Sequence, residues 1–232
     1  MTEEQHLQPR LHLLAALVPE GAKLADIGTD HGYLPVYLLQ KGRITSAIAA
    51  DIGQAPLDHA RHTARQYGVE EHLRFLCCDG LRGIGPEDAD TVVIAGMGGE
   101  TIIHILSQAP WTKEGKTLLL LQPMTKQEDL RRWLNENGYA QCAERLVRDK
   151  DYLYPVLTAF GGAQPPLSEG ELYGGVDIEV DPLAKEYLAA RIRRLEQAET
   201  GLLKSSGREN RLRAERLAKI RKELIERRAA LL

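Results

Sequence analysis

The chain of 232 residues is 43% hydrophobic and 27% charged with a net charge of −3, an ordinary balance for a globular protein with a proper core. No stretch approaches the roughly 20 apolar residues of a membrane span, so no membrane partner is expected. Cys77, Cys78 and Cys142 are an odd number without C-x-x-C spacing, which argues against a disulfide framework and a zinc site.

The start, Met1-Thr-Glu-Glu-Gln5, lacks the basic and apolar regions of a secretory signal, and a reduced, cytoplasmic compartment is expected. An amphipathic helix over 7–18 precedes a first strand at 23–27. That strand runs into the turn Gly28-Thr-Asp-His-Gly32, which opens a helix over 34–41. Gly28 and Gly32 let backbone approach a ligand closely, and the helix offers free N–H groups at its N-terminus. The dinucleotide fingerprint G-x-G-x-x-G is absent, because Thr29 and Asp30 follow Gly28. A carboxylate there opposes a pyrophosphate. Asp26 and Asp30 suit instead the cationic sulfonium and ammonium of S-adenosylmethionine.

The second strand, 47–51, ends in Asp51-Ile52, 25 positions after Asp26. An acid at that place accepts from ribose hydroxyls, although an Asp after a strand also caps the following helix, here 54–67. The third strand, 74–78, ends in Asp79-Gly80, where the acid can accept from an adenine amino group. Cys77 and Cys78 alternate faces of that strand and are expected in the core rather than as nucleophiles. The fourth strand, 91–95, ends in Gly96-Met97-Gly98-Gly99, and three glycines in four residues allow a flat acceptor to approach a methyl donor. A helix over 100–108 follows. The fifth strand, 117–121, ends in Gln122-Pro123-Met124, where a polar side chain beside a rigid proline could meet an acceptor base, and a helix over 126–137 follows.

Segments 139–147 and 152–160 are joined by only Arg148-Asp-Lys-Asp151, which permits an antiparallel hairpin and no parallel crossover. The five earlier strands are nearly continuous apolar runs separated by helices, the pattern of a parallel sheet covered on both faces. The fold class is therefore α/β, a Rossmann-like class I methyltransferase sheet. Ligands in such sheets bind outside the carboxyl ends of the strands, where Asp26, Asp51, Asp79, Gly96 and Gln122 all fall.

Gly161-Gly-Ala-Gln-Pro-Pro166 breaks the pattern. The expected division is a catalytic domain over 1–160, a linker over 161–181 and a helical hairpin over 182–232. Leu188, Ile192, Leu195 and Leu202 form one apolar stripe, and Leu217, Ile220, Leu224 and Leu231 another, at coiled-coil spacings. Ser205-Ser-Gly207 is the expected point of reversal. Residues 182–232 hold 14 Lys/Arg against 7 Asp/Glu, a net +7, whereas 1–181 carry −10. That asymmetry points to a nucleic-acid partner for the tail, the bland alternative being a solvated helix pair.

The run Ala25-Asp-Ile-Gly-Thr-Asp-His-Gly-Tyr-Leu-Pro35, with Ala95-Gly-Met-Gly-Gly99, Leu121-Gln-Pro123 and the C-terminal helical pair, resembles the bacterial tRNA (adenine-22-N1)-methyltransferase family over essentially the whole chain. The resemblance implies S-adenosylmethionine as donor and N1 of an adenine in the tRNA D-arm as acceptor. It implies that Asp26, Gly28, Asp30, His31 and Gly32 line the methionine end of the cofactor, with Asp51-Ile52 at the ribose and Asp79-Gly80 at the adenine. Gly96, Met97, Gly98, Gln122 and Pro123 would border the target base, and Arg10 in the first helix would touch RNA. Met124 stands where family members often have Asn, and Asp51 where Glu is common. Adenine N1 is an unprotonated nucleophile, so no general base is required. Asp30, with Asp26 as competitor, is the candidate to stabilise the cationic product.

A monomer without metal is expected. The rival readings are a methyltransferase of another RNA, a small molecule or a protein, a non-catalytic RNA-binding module and, least favoured, a dinucleotide oxidoreductase.

Overall fold

The succession of short apolar runs becomes a parallel sheet in a computed structural model that describes residues 7–204 and 207–231. Readings that involve residues 1–6, Ser205, Ser206 and Leu232 lie outside the described residues. Helix α1 (Pro9–Leu17) leads into β1 (Lys23–Ile27), α2 (Tyr33–Gln40), β2 (Ser46–Asp51), α3 (Gln54–Gln66) and β3 (Leu73–Cys77). Then come β4 (Thr91–Gly98), α4 (Gly99–Ser107), the single turn α5 (Trp111–Glu114), β5 (Leu118–Thr125) and α6 (Gln127–Glu136). Three further strands follow, β6 (Tyr139–Gln141), β7 (Arg145–Asp149) and β8 (Tyr152–Gly161).

The strand order is β3-β2-β1-β4-β5-β8-β6, with β7 also paired to β8. The first five strands are parallel, while β8 runs antiparallel to β5, β6 and β7. The order turns outward in both directions from the β1–β4 pair, which makes their carboxyl ends the place where an open sheet leaves a crevice. Side chains such as Leu24, Ala25, Val92, Val93, Leu119 and Leu120 are buried on both faces of the central strands, as the continuous apolar runs require.

The structure departs from the sequence expectation in three strands: β4 and β5 run past the expected ends at 95 and 121, and a later strand is interrupted. The segment expected over 139–147 is broken into β6 and β7, because Glu144 turns inward at the interruption. It meets Arg131 of α6 in a bidentate pair of 2.6 and 2.8 Å, both side chains being essentially fully buried. The Glu144 carboxylate also accepts from the Val176 N–H at 3.1 Å, and Arg131 donates its remaining arm to Leu172 O at 2.7 Å. The charges are thus paired and hydrogen-bonded, the condition under which a buried ion pair persists.

Residues 161–181 carry the short helix α7 (Glu169–Gly174), closed by a capping box of Ser168 and Glu171, and a 3-10 turn at Ile178–Val180. Leu172, Val176 and Ile178 of this segment are buried. The segment underlies the hairpin of α8 (Ala184–Leu203) and α9 (Arg208–Ala229), where Leu188, Ile192, Leu195, Ile220 and Leu224 form a core with Leu146 and Ile178. Arg191 donates to Tyr173 O, and Arg227 donates to Gly170 O and Gly175 O. Part of the tail's positive charge therefore fastens the hairpin to the body. Among the described residues, no helix is long and apolar enough to cross a membrane.

Candidate functional site

A cavity of about 380 Å³ opens at the carboxyl ends of β1 and β4, walled by α1, the β1–α2 turn and Ala95-Gly96. It brings together Arg10, Asp26, Gly28, Asp30, His31, Gly32 and Gly96 of the residues singled out in the sequence. The turn is tied down from beneath: the N–H groups of Gly28 and Thr29 both donate to Ala50 O of β2, at 2.8 and 3.1 Å. Gly28 has φ +76°, a conformation that favours glycine, and a Cβ there would fall 2.1 Å from the terminal methyl of Met97, which would have to swing aside. Met97 consequently lies against the turn, although it does not line the cavity itself.

Asp26 and Asp30 have opposite environments. Asp26 is buried, and desolvation pushes its carboxyl up to about 6; the Thr29 hydroxyl offsets part of this and the charge of Asp51 adds to it. Asp30 is exposed at the rim, with its carboxylate 3.4 Å from His31 Nε2. Among the described residues Asp26 has no ion-pair partner, and a buried acid with an exposed acid beside it makes a cleft that gains from a positively charged occupant.

The neighbouring strand ends lie outside this cavity. Asp51, the last residue of β2, accepts from the Gly53 N–H through Oδ1 at 2.8 Å, which orients the carboxylate and shapes the approach to α3. Ile52 beside it is 75% exposed. Asp79 is exposed after β3, while Gly80 packs toward Ile105 of α4, where a Cβ would stand 3.0 Å from that side chain. Cys77 is exposed rather than in the core, because β3 is the edge strand and its last residue has no covering neighbour. Cys78 is half-buried and packs against the core.

Gln122 and Pro123 fall within β5, which extends to Thr125, and Gly96 to Gly98 fall within β4. The β4–β5 register shifts at Met97 and again at Gly98, an irregularity the glycines accommodate. Gln122 is fully buried, and its side-chain carbonyl accepts from the Gly96 N–H at 3.2 Å and from Arg10 Nη1 at 3.1 Å. Both lone pairs of that oxygen are engaged, so Gln122 holds the end of β4. Arg10 is in turn held by Asp149 at 2.5 Å and lies over the Tyr154 ring, 5.4 Å from its centroid.

Sequence reading missed Asp149 and Tyr154, which reach the site from the β7–β8 hairpin. No local pattern announces a partner 139 residues from Arg10. It also missed His59, whose imidazole stacks on that of His31.

Residues 7–157 match the family model described as a methyltransferase domain. The tRNA (adenine(22)-N(1))-methyltransferase of Bacillus subtilis (strain 168) is 34% identical over 186 residues, covering 80% of this chain and 76% of that protein. The crystal structure of the B. subtilis M1A22 tRNA methyltransferase TrmK is similar with a TM-score of 0.83 at 28% identity, over 97% of this chain and 99% of that one. Sp1610 of Streptococcus pneumoniae, solved in complex with S-adenosyl-L-methionine, gives a TM-score of 0.79 at 30% identity, over 93% and 97% of the two chains.

Proposed function

We propose that this chain, which belongs to the tRNA (adenine(22)-N(1))-methyltransferase family, transfers a methyl group from S-adenosyl-L-methionine to N1 of adenine 22 in the D-arm of tRNA. The observation that carries this reading is the cleft at the β1–β4 switch point. It presents Asp26 and Asp30 where a phosphate-binding loop would present small neutral residues. When bound, S-adenosyl-L-methionine supplies a sulfonium methyl that passes to the N1 lone pair while the C–S electrons return to sulfur, with no proton removed.

The residues of the chain bind, orient and exclude water. In this reading Asp26, Gly28, Asp30, His31 and Gly32 hold the cationic amino-acid end of the cofactor. Asp51-Ile52 takes the ribose and Asp79-Gly80 the adenine ring. Gly96 to Gly98 and Pro123 form the floor under the target base, with Gln122 and Arg10 fixing that floor from below. Asp30, exposed and close to the cleft mouth, is the group we assign to stabilise the cationic product.

The division of labour along the chain is that 1–160 hold the cofactor and 182–232 hold RNA. Arg193, Arg194, Lys204, Arg208, Arg211 and Lys219 of the hairpin are exposed and make no ion pair among the described residues. They are available for phosphate contacts, which supply affinity without sequence information. A monomeric, cytoplasmic protein acting on tRNA belongs to the same reading. The test is transfer of labelled methyl from S-adenosyl-L-methionine to a bacterial tRNA transcript. Label in the RNA is expected, and label found only in small molecules or protein would favour the rival readings.

A further inference from the structure

A second groove of about 430 Å³ opens beside the cofactor cleft and shares His31 and Tyr33 with it. Its other wall is α3 and the residue that ends it, through His59, His62, Gln66 and Tyr67. The rings of Tyr33 and His31 are stacked with centroids 5.0 Å apart and planes within 8°. Those of His31 and His59 are stacked at 4.9 Å and 6°. Three near-parallel rings thus form a ladder from the cleft rim to an exposed helix face, with His59 and Tyr33 both open to solvent.

The groove stands apart electrostatically from the body that contains it. Residues 1–181 carry a net −10, yet among the described residues lining the groove there is no carboxylate and there are three histidines. Asp58 on α3 is engaged by Gln54 and Arg61, whereas Asp30 reaches the cleft end of the ladder, with its carboxylate 3.4 Å from His31 Nε2. Apart from Asp30 at that end, the wall of the groove sets no carboxylate against a polyanion.

Asp30, His31 and His59 could each offer one ligand atom, all within 4.8 Å of one another, to a metal ion. The ring stack opposes this. An imidazole nitrogen offers its lone pair in the plane of the ring, and two stacked planes within 6° of parallel do not converge on one ion. Stacked rings offer a face to another flat ring.

We propose that this groove is a nucleobase subsite that receives the nucleotide next to the target adenine. The inference rests on the tRNA-methyltransferase reading above. Exposing N1, which lies on the Watson–Crick edge, requires the target base to leave its stack, and its neighbour then loses a stacking partner. The ladder supplies a substitute surface one wall away from the cofactor cleft, with His62 and Gln66 placed to hydrogen-bond the edge of the base. Single-stranded RNA is held in this manner by aromatic and histidine side chains in general.

The test uses the full chain with His59→Ala and His59→Phe. His59→Ala is expected to raise KM for tRNA by about 5- to 100-fold, the range that loss of one stacked base produces. The affinity for S-adenosyl-L-methionine by calorimetry, which also reports folding, is expected to stay at the wild-type value. His59→Phe, which keeps a flat ring but no metal ligand, is expected to restore KM to within a few-fold. A wild-type KM in His59→Ala, or a Phe variant as impaired as the Ala variant, overturns the subsite. So does tRNA affinity that falls on chelation and returns with Zn²⁺. Absence of tRNA methylation by the wild-type chain would remove instead the reading on which the subsite rests.

Discussion

Arg10 on α1 donates to the side-chain carbonyl of Gln122 on β5 at 3.1 Å, and the same oxygen accepts the Gly96 N–H at the end of β4. One amide thereby joins the first helix to the two strands that form the floor of the proposed acceptor site. Asp149 holds the other side of the Arg10 guanidinium.

Replacing Arg10 removes a planar fork that a lysine ammonium cannot reproduce. Arg10→Ala and Arg10→Lys are both expected to lower kcat/KM for tRNA methylation by about 10- to 100-fold, the scale of one charge-assisted hydrogen bond. Initial rates across tRNA concentrations check this. A fully active Arg10→Lys would show that charge alone is needed.

The Asp26 carboxyl is raised to about 6 by burial, so the folded protein binds its proton more tightly than the unfolded chain does. The corresponding stability is full below the ordinary carboxylate range and is lost as pH rises through about 6. Asp26→Asn is therefore expected to raise the Tm of the ligand-free protein at pH 7.5 and to change it little at pH 4. The cationic cofactor favours the ionised acid, so affinity for it is expected to fall as pH drops from about 7 to about 5, with proton release on binding. Calorimetry in two buffers of different ionisation enthalpy measures the proton. Equal cofactor affinity in Asp26→Asn and wild type would contradict the placement of Asp26 at the cofactor.

Arg131 and Glu144 satisfy one another in the interior and anchor Leu172 O and the Val176 N–H. Glu144→Ala leaves a buried guanidinium unpaired, and a loss of about 3–5 kcal/mol is expected in denaturant unfolding. The double change Arg131→Met, Glu144→Leu is expected to cost less than the single one. A double variant as damaged as the single variant would refute that view of the pair.

Arg208, Arg211 and Lys219 are exposed on the hairpin, whereas Leu188, Ile192 and Leu195 of α8 complete a core with Leu146. Removing residues 182–232 would therefore uncover that core, and charge reversal is the cleaner probe of RNA binding. Changing the three cations to Glu is expected to weaken tRNA binding at least ten-fold at low salt and to flatten the salt dependence, since each phosphate contact contributes about one to the slope. Cofactor affinity is expected to be unaltered. Filter-binding titrations over a range of salt measure both quantities.

The sheet was legible because its central strands are buried on both faces and so read as unbroken apolar runs. The cleft was legible at Gly28, Asp26 and Asp30 because glycine conformation and carboxylate charge are local properties. What escaped depends on distant partners. Nothing in the run 139–147 shows that Glu144 leaves the strand to meet Arg131. Nothing near Gln122 shows that Arg10 takes its carbonyl, a side chain expected from sequence to face the base. Cys77 read as core from alternation alone, because alternation does not reveal which strand is at the edge. The tail's charge was legible as a total but not in its division, since Arg191 and Arg227 are spent on α7 and the segments beside it.

The most direct measurement is primer extension on a tRNA transcript after incubation with the chain and S-adenosyl-L-methionine, because methylation at N1 blocks the pairing edge of the template base. A single new stop at adenine 22 is expected, absent when that position carries guanine and absent without the cofactor. No stop, or a stop elsewhere that survives the change to guanine, would contradict the assignment of adenine 22 as the acceptor.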